Sequence, residues 1–138
     1  MPDILPPSLD DMEALASEAL QTLPARLRQF TTGIVIHVTE FPDDDVCAEM
    51  ELESPFDILG LYQGISMAEQ TVEASGGLPN MVFLYRRPIL DYWAETGEDL
   101  RHVVRHVLIH EIGHHFGFSD DDMEALEAEA DAEEAAAS

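Results

Sequence analysis

A chain of 138 residues has room for one domain with a modest core. Its 29 acidic residues face six arginines and no lysine, for a formal net charge of −23. That balance excludes proteins that grip nucleic-acid phosphates or anionic membrane surfaces, and it leaves basic peptides or proteins as allowed partners.

The chain opens on Met1–Pro7, a proline-rich stretch read as a flexible lead-in over residues 1–7. It has neither a basic n-region nor an apolar h-region, so no secretory signal is expected. No run is long enough to cross a bilayer, and the lone Cys47 suits a reducing compartment. The expected location is the cytoplasm.

Ser8 is an N-cap candidate followed by acids that suit a helix start. Leu9, Met12, Leu15, Ala16, Ala19, Leu20 and Leu23 recur at helical spacing until Pro24 ends the run. Arg26 and Arg28 follow on a connector. Gly33–Thr39 is short and rich in β-branched residues, which predicts a strand with His37 packed or at its rim. Asp43, Asp44 and Asp45 open a short helix through about Leu52. They lack the spacing and glycine of a Ca²⁺ loop. Cys47 reads as a small semi-buried thiol.

Ile58–Ile65 predicts a second strand, with glycines that mark a bulge or a close backbone approach. Tyr62 can be an oxyanion donor or, more simply, a tyrosine packed on the sheet. Ser66–Gly77 is polar, and Ser75–Asn80 reads as a loop. Met81–Tyr85 is a third strand. Arg86 and Arg87 stop it and are expected to pair with local acids. Pro88 suits the first turn of a short helix, Ile89–Ala94.

Thr96 is read as the N-cap of a long helix with Leu100, Val103, Val104, Val107 and Leu108 as its buried stripe. This helix carries His110-Glu111-Ile112-Gly113-His114, an HExxH pattern. Residues i and i+4 share one helix face, so His110 and His114 can reach a single Zn²⁺ ion. Glu111 falls within the apolar stripe, where a carboxylate is costly without a partner or a task. Taking a proton from a metal-activated water is such a task. Gly117 can reverse the chain and return Asp120 as a third, oxygen ligand. Glu124 and Glu127 on the following helix are the competing candidates. His102 and His106 precede the motif at the same four-residue step and read as surface histidines, with His106 the nearer to the metal cleft. His115 reads as packed. Ser119 and Asp122 suggest a further N-cap, and Met123, Leu126 and Ala130 a short helix. Beyond it, about 128–138, the chain reads as an acidic tail.

The extended HExxHxxGxxD pattern resembles the metzincin peptidases, with Asp in place of their third His. Three stretches, GLYQG at 60–64, LYRRPILDYW at 84–93 and HEIGHHFGFSDDDME at 110–124, are similar to the small bacterial zincin-like metallopeptidases sometimes called minimal metalloproteases. The resemblance implies one α+β zincin-like domain over 1–138, with a small mixed sheet of about three to four strands packed on helices. It implies zinc at His110, His114 and Asp120, Glu111 as general base, and hydrolysis of peptides or unfolded protein. It also implies that an edge strand beside the active helix binds substrate by strand addition, for which residues 58–65 are the candidate. The alternative is a weakly active or inactive metal-binding regulatory or interaction protein. Glu111 argues against it, because metal binding alone does not need a base.

Overall fold

The computed structural model describes residues 5–63 and 80–137. The polar segment 66–77, most of the loop at 75–80 and the end of the expected strand at 64–65 lie outside the described residues.

Helix α1, Leu9–Gln21, starts in a capping box. Ser8 Oγ accepts from the Asp11 N–H at 3.1 Å, and Asp11 Oδ2 accepts from the Ser8 N–H at 2.9 Å. The expected connector at Arg26 and Arg28 is a single helical turn, α2 (Ala25–Arg28), which buries Leu27. Strand β1 (Val35–Thr39) leads to α3 (Asp44–Glu49), capped by Asp43, and then to β2 (Gly60–Gln63) and β3 (Met81–Tyr85).

The sheet order is β1-β3-β2, with β1 parallel and β2 antiparallel to β3. The sheet is therefore mixed, as the sequence suggests, and among the described residues β2 is an edge strand. Alternation sends Ile36, Val38, Val82, Leu84 and Tyr62 toward the helices. His37 and Phe83 meet edge to face on the other side.

Helix α4 runs Arg86–Thr96, beginning directly at the end of β3 rather than at Pro88. Pro88 is tolerated because a first-turn residue needs no N–H partner. Gly97 ends the helix in the left-handed conformation at φ 69°. Thr96 is thus the last residue of α4, and the cap of the next helix is Asp99, whose Oδ1 accepts from the Arg101 N–H at 2.9 Å. Arg86 serves structure: it donates to the Pro7 carbonyl at 2.6 Å and to Glu40 at 2.9 Å.

Helix α5, Leu100–His115, is the central element. It packs on α1, on the sheet and on α6, and buries Val103, Val104, Val107, Leu108, Ile109 and Ile112. Helix α6 runs Asp120–Ala137, far beyond the short helix expected from sequence. Its extension is held by packing and charge. Ala130 is buried, and Asp131 and Glu134 both engage Arg105 of α5. Alanine and glutamate are also strong helix formers. Among the described residues, no helix is long and apolar enough to cross a membrane.

Candidate metal centre

Two glycines set the position of α5 and α6. At Gly60 an added Cβ would lie 2.7 Å from Val107 Cγ1 and 2.9 Å from the Phe83 carbonyl oxygen, so only glycine lets α5 lie this close to β2. From that contact the two elements run side by side in step. Two strand residues advance about 6.6 Å and four helix residues about 6 Å. One helical turn beyond Val107, Glu111 therefore meets the backbone of Tyr62. One turn further, the His115 ring stacks on the Tyr62 ring at 3.9 Å between centroids.

The Tyr62 N–H is free for Glu111 because of strand register. Tyr85 N donates to Leu59 O, and in an antiparallel ladder every second residue then turns its polar groups outward. Gly60 and Tyr62 are the outward residues of β2. Glu111 is half-buried, and burial pushes its carboxyl above the usual range. The hydrogen bond from the Tyr62 backbone and the nearby His114 pull it partway back down. Close by, burial first and the charges of Asp43, Glu111 and Cys47 second push the Tyr85 phenol up to about 12, so it stays neutral.

His110 and His114 lie on the adjacent stripe of α5, with ring centroids 6.0 Å apart. Residues one helical turn apart share a face, the arrangement by which two imidazoles can reach one ion. They stand in the last turns of α5, where the helix carries partial negative charge that favours a cation. The helix ends in a Schellman motif. The Phe118 N–H donates to Gly113 O at 2.9 Å, the Gly117 N–H donates to His114 O at 3.2 Å, and Gly117 has φ 83°. The reversal expected at Gly117 is present. Phe30 anchors it by stacking on Phe116 at 4.8 Å and meeting Phe118 edge-on at 5.9 Å.

Beyond the turn, Ser119 and Asp122 cap α6 reciprocally at 3.1 and 3.2 Å. Ser119 holds the Asp122 carboxyl below its usual value. Asp120 is the first residue of α6 and is exposed. Gly113 is the second close approach, because an added Cβ there would lie 2.8 Å from Met123 Sδ. This contact lays α6 back along α5 and carries Glu127 to the histidine stripe. Glu127 Oε1 is 2.5 Å from His106 Nδ1, and Oε2 is 3.3 Å from His110 Nε2.

Among the described residues, two groups of three possible ligands have donor atoms within 4.8 Å of one another. They are His106, His110 and Glu127, and His102, Asp131 and Glu134. Neither includes His114 or Asp120. The approach of His106 and Glu127 to His110 was not resolved from sequence. Its signal was the four-residue step of histidines on α5 facing acids at similar steps on α6.

The chain was compared with known proteins. A family model described as zincin-like metallopeptidase matches residues 31–130. The chain belongs to the zincin-like metallopeptidases. No curated protein matches it. Membership of this family implies zinc, and the residues fit such an ion. Two imidazoles one turn apart can supply nitrogen ligands, and Glu127 on α6 reaches the same stripe. The zincin-like match spans β1 through most of α6, so it includes both close glycine contacts, all of α5 and the turn at Gly117.

Proposed function

We propose that this zincin-like protein is a zinc-dependent peptidase. His110 and His114 hold the ion, Asp120 completes the ligand set, and Glu111 is the general base. Bound there, zinc polarises the scissile carbonyl and lowers the pKa of the attacking water. Glu111 takes the proton from that water and delivers it to the leaving amine. The observation that carries this reading is the seat of Glu111. It is half-buried beside His114 and held by the Tyr62 backbone N–H, and burial raises its carboxyl above the ordinary range, which strengthens it as a base.

The edge of β2 supports a peptide substrate. Its outward groups at Gly60 and Tyr62 lie next to the base; with the Tyr62 N–H taken by Glu111, the Tyr62 carbonyl and the Gly60 groups are what an extended peptide or unfolded segment would pair with. The Tyr62 ring supports its packing role more than an oxyanion role, since it is stacked against His115.

The test is Glu111→Gln. The amide keeps the size of the side chain and can still accept the Tyr62 hydrogen bond, but it cannot act as a base. Zinc content should be unchanged while peptide-library cleavage falls by about 10²–10⁴-fold. Cleavage at the wild-type rate in this variant would reject the mechanism. A wild-type protein that binds zinc and cleaves nothing would favour a metal-binding regulator.

A further inference from the structure

His110 is the middle member of three histidines spaced four residues apart, so it can pair with His114 on one side or His106 on the other. On the His106 side a carboxylate is already in place. We propose that His106, His110 and Glu127 form a second metal position, one helical turn from the His110–His114 pair and mutually exclusive with it.

The geometry suits a zinc-sized cation. With metal–ligand bonds of about 2.0–2.1 Å in a tetrahedral site, two ligand atoms stand about 3.3 Å apart. The separation of Glu127 Oε2 from His110 Nε2 is 3.3 Å. The His106 Nδ1 to Glu127 Oε1 distance of 2.5 Å is a hydrogen bond, which opens by rotation of two half-exposed side chains when an ion replaces the proton. The three side chains are 45%, 30% and 26% exposed for His106, His110 and Glu127, open enough for a cation to enter.

Helices α5 and α6 are also joined by Arg105, which engages Asp131 and Glu134, and by His102, which pairs with Glu134. The Arg105 guanidinium engages two members of the other three-ligand group, His102, Asp131 and Glu134, and so competes with a cation for both carboxylates. At positions 106 and 110 it is two imidazoles that face Glu127. Two imidazoles and one carboxylate form a ligand set for Zn²⁺, Cu²⁺ or Ni²⁺.

Because His110 serves both positions, the chain binds one ion at a time. An ion on His106 and Glu127 is withdrawn from Glu111, which makes that form latent. Only this regulatory consequence rests on the peptidase reading. The metal position does not.

The test uses the full chain, stripped of metal and titrated with Zn²⁺ against a chromophoric chelator. His114→Ala should still bind one Zn²⁺. His114→Ala/His106→Ala and His114→Ala/Glu127→Gln should each bind at least tenfold more weakly. Cobalt(II) gives a second readout: its visible absorption in His114→Ala should change when Glu127→Gln is added. Loss of all binding in His114→Ala, or second substitutions without effect on affinity and spectrum, would overturn the proposal. Glu127 dependence without His106 dependence would also overturn it, by making Glu127 a ligand of the other pair. Peptidase activity is read separately on the wild type. Its absence, with metal retained in His114→Ala, removes the peptidase reading and leaves this site standing.

Discussion

Glu111 is the residue at which folding and chemistry conflict. Its carboxyl is lifted by burial, with only the Tyr62 N–H and His114 offsetting the cost. A group whose folded-state pKa is raised binds its proton more tightly when folded than when unfolded. Stability therefore falls as pH rises from the ordinary carboxylate range through the folded-state pKa, and the full penalty is present above it. In the metal-free protein, Glu111→Gln should then be more stable than wild type at neutral pH, by about 0.5–2 kcal/mol. The advantage should shrink on acidification and be gone below the ordinary carboxylate range. Equal denaturant midpoints at pH 7 and pH 4 for the two proteins would show that Glu111 is not desolvated. Sequence alone exposed half of this conflict, since Glu111 falls in the apolar stripe at 100° per residue. The other half, a backbone N–H from an edge strand, has no side-chain signature and could not be read.

Element packing depends on Gly60 and Gly113, where helix meets strand and helix meets helix. Gly60→Ala places a methyl against a backbone carbonyl and a buried valine, neither of which yields easily. It should cost about 1–3 kcal/mol of stability. It should also lower peptidase activity more than metal affinity, because α5 moves off β2 and the base loses its seat while the histidine stripe stays on its helix. Chemical denaturation paired with zinc competition measures both. Equal losses in affinity and activity would separate Gly60 from the positioning of Glu111. The elements themselves were largely legible: Ser8, Asp43, the β-branched runs and the motif helix all appear where their sequence signals lie. Errors fell where two signals compete. Thr96 looks like a cap but closes the preceding helix, because Gly97 supplies the left-handed stop and Asp99 the better cap. The alanine- and acid-rich end looks like a tail but is helical through Ala137, because Arg105 and the groove beside Ala130 hold it. Such distant partners leave no local trace.

At the scale of the whole molecule, charge is the dominant liability. Among the described residues, four arginines pair with acids: Arg26 with Glu129, Arg86 with Glu40, Arg101 with Glu18, and Arg105 with Asp131 and Glu134. Most of the acidic residues therefore repel one another across the surface. Raising ionic strength from 0.01 M to 0.15 M shortens the screening length from about 30 Å to about 8 Å. The melting temperature should rise by a few degrees, on the order of 1 kcal/mol. A fall in thermal scans over that range would mean that the ion pairs outweigh the repulsion. The turn at Gly117 has a further consequence, for the order in which the site is assembled. His106 and Glu127 are 21 residues apart and meet within one helical hairpin, whereas Glu111 is seated by a strand from a remote part of the chain. Contacts close in sequence form ahead of distant strand pairing. On the proposed reading, the nascent chain thus gathers its candidate metal donors before Glu111 is seated, and hydrolysis waits on completion of the sheet.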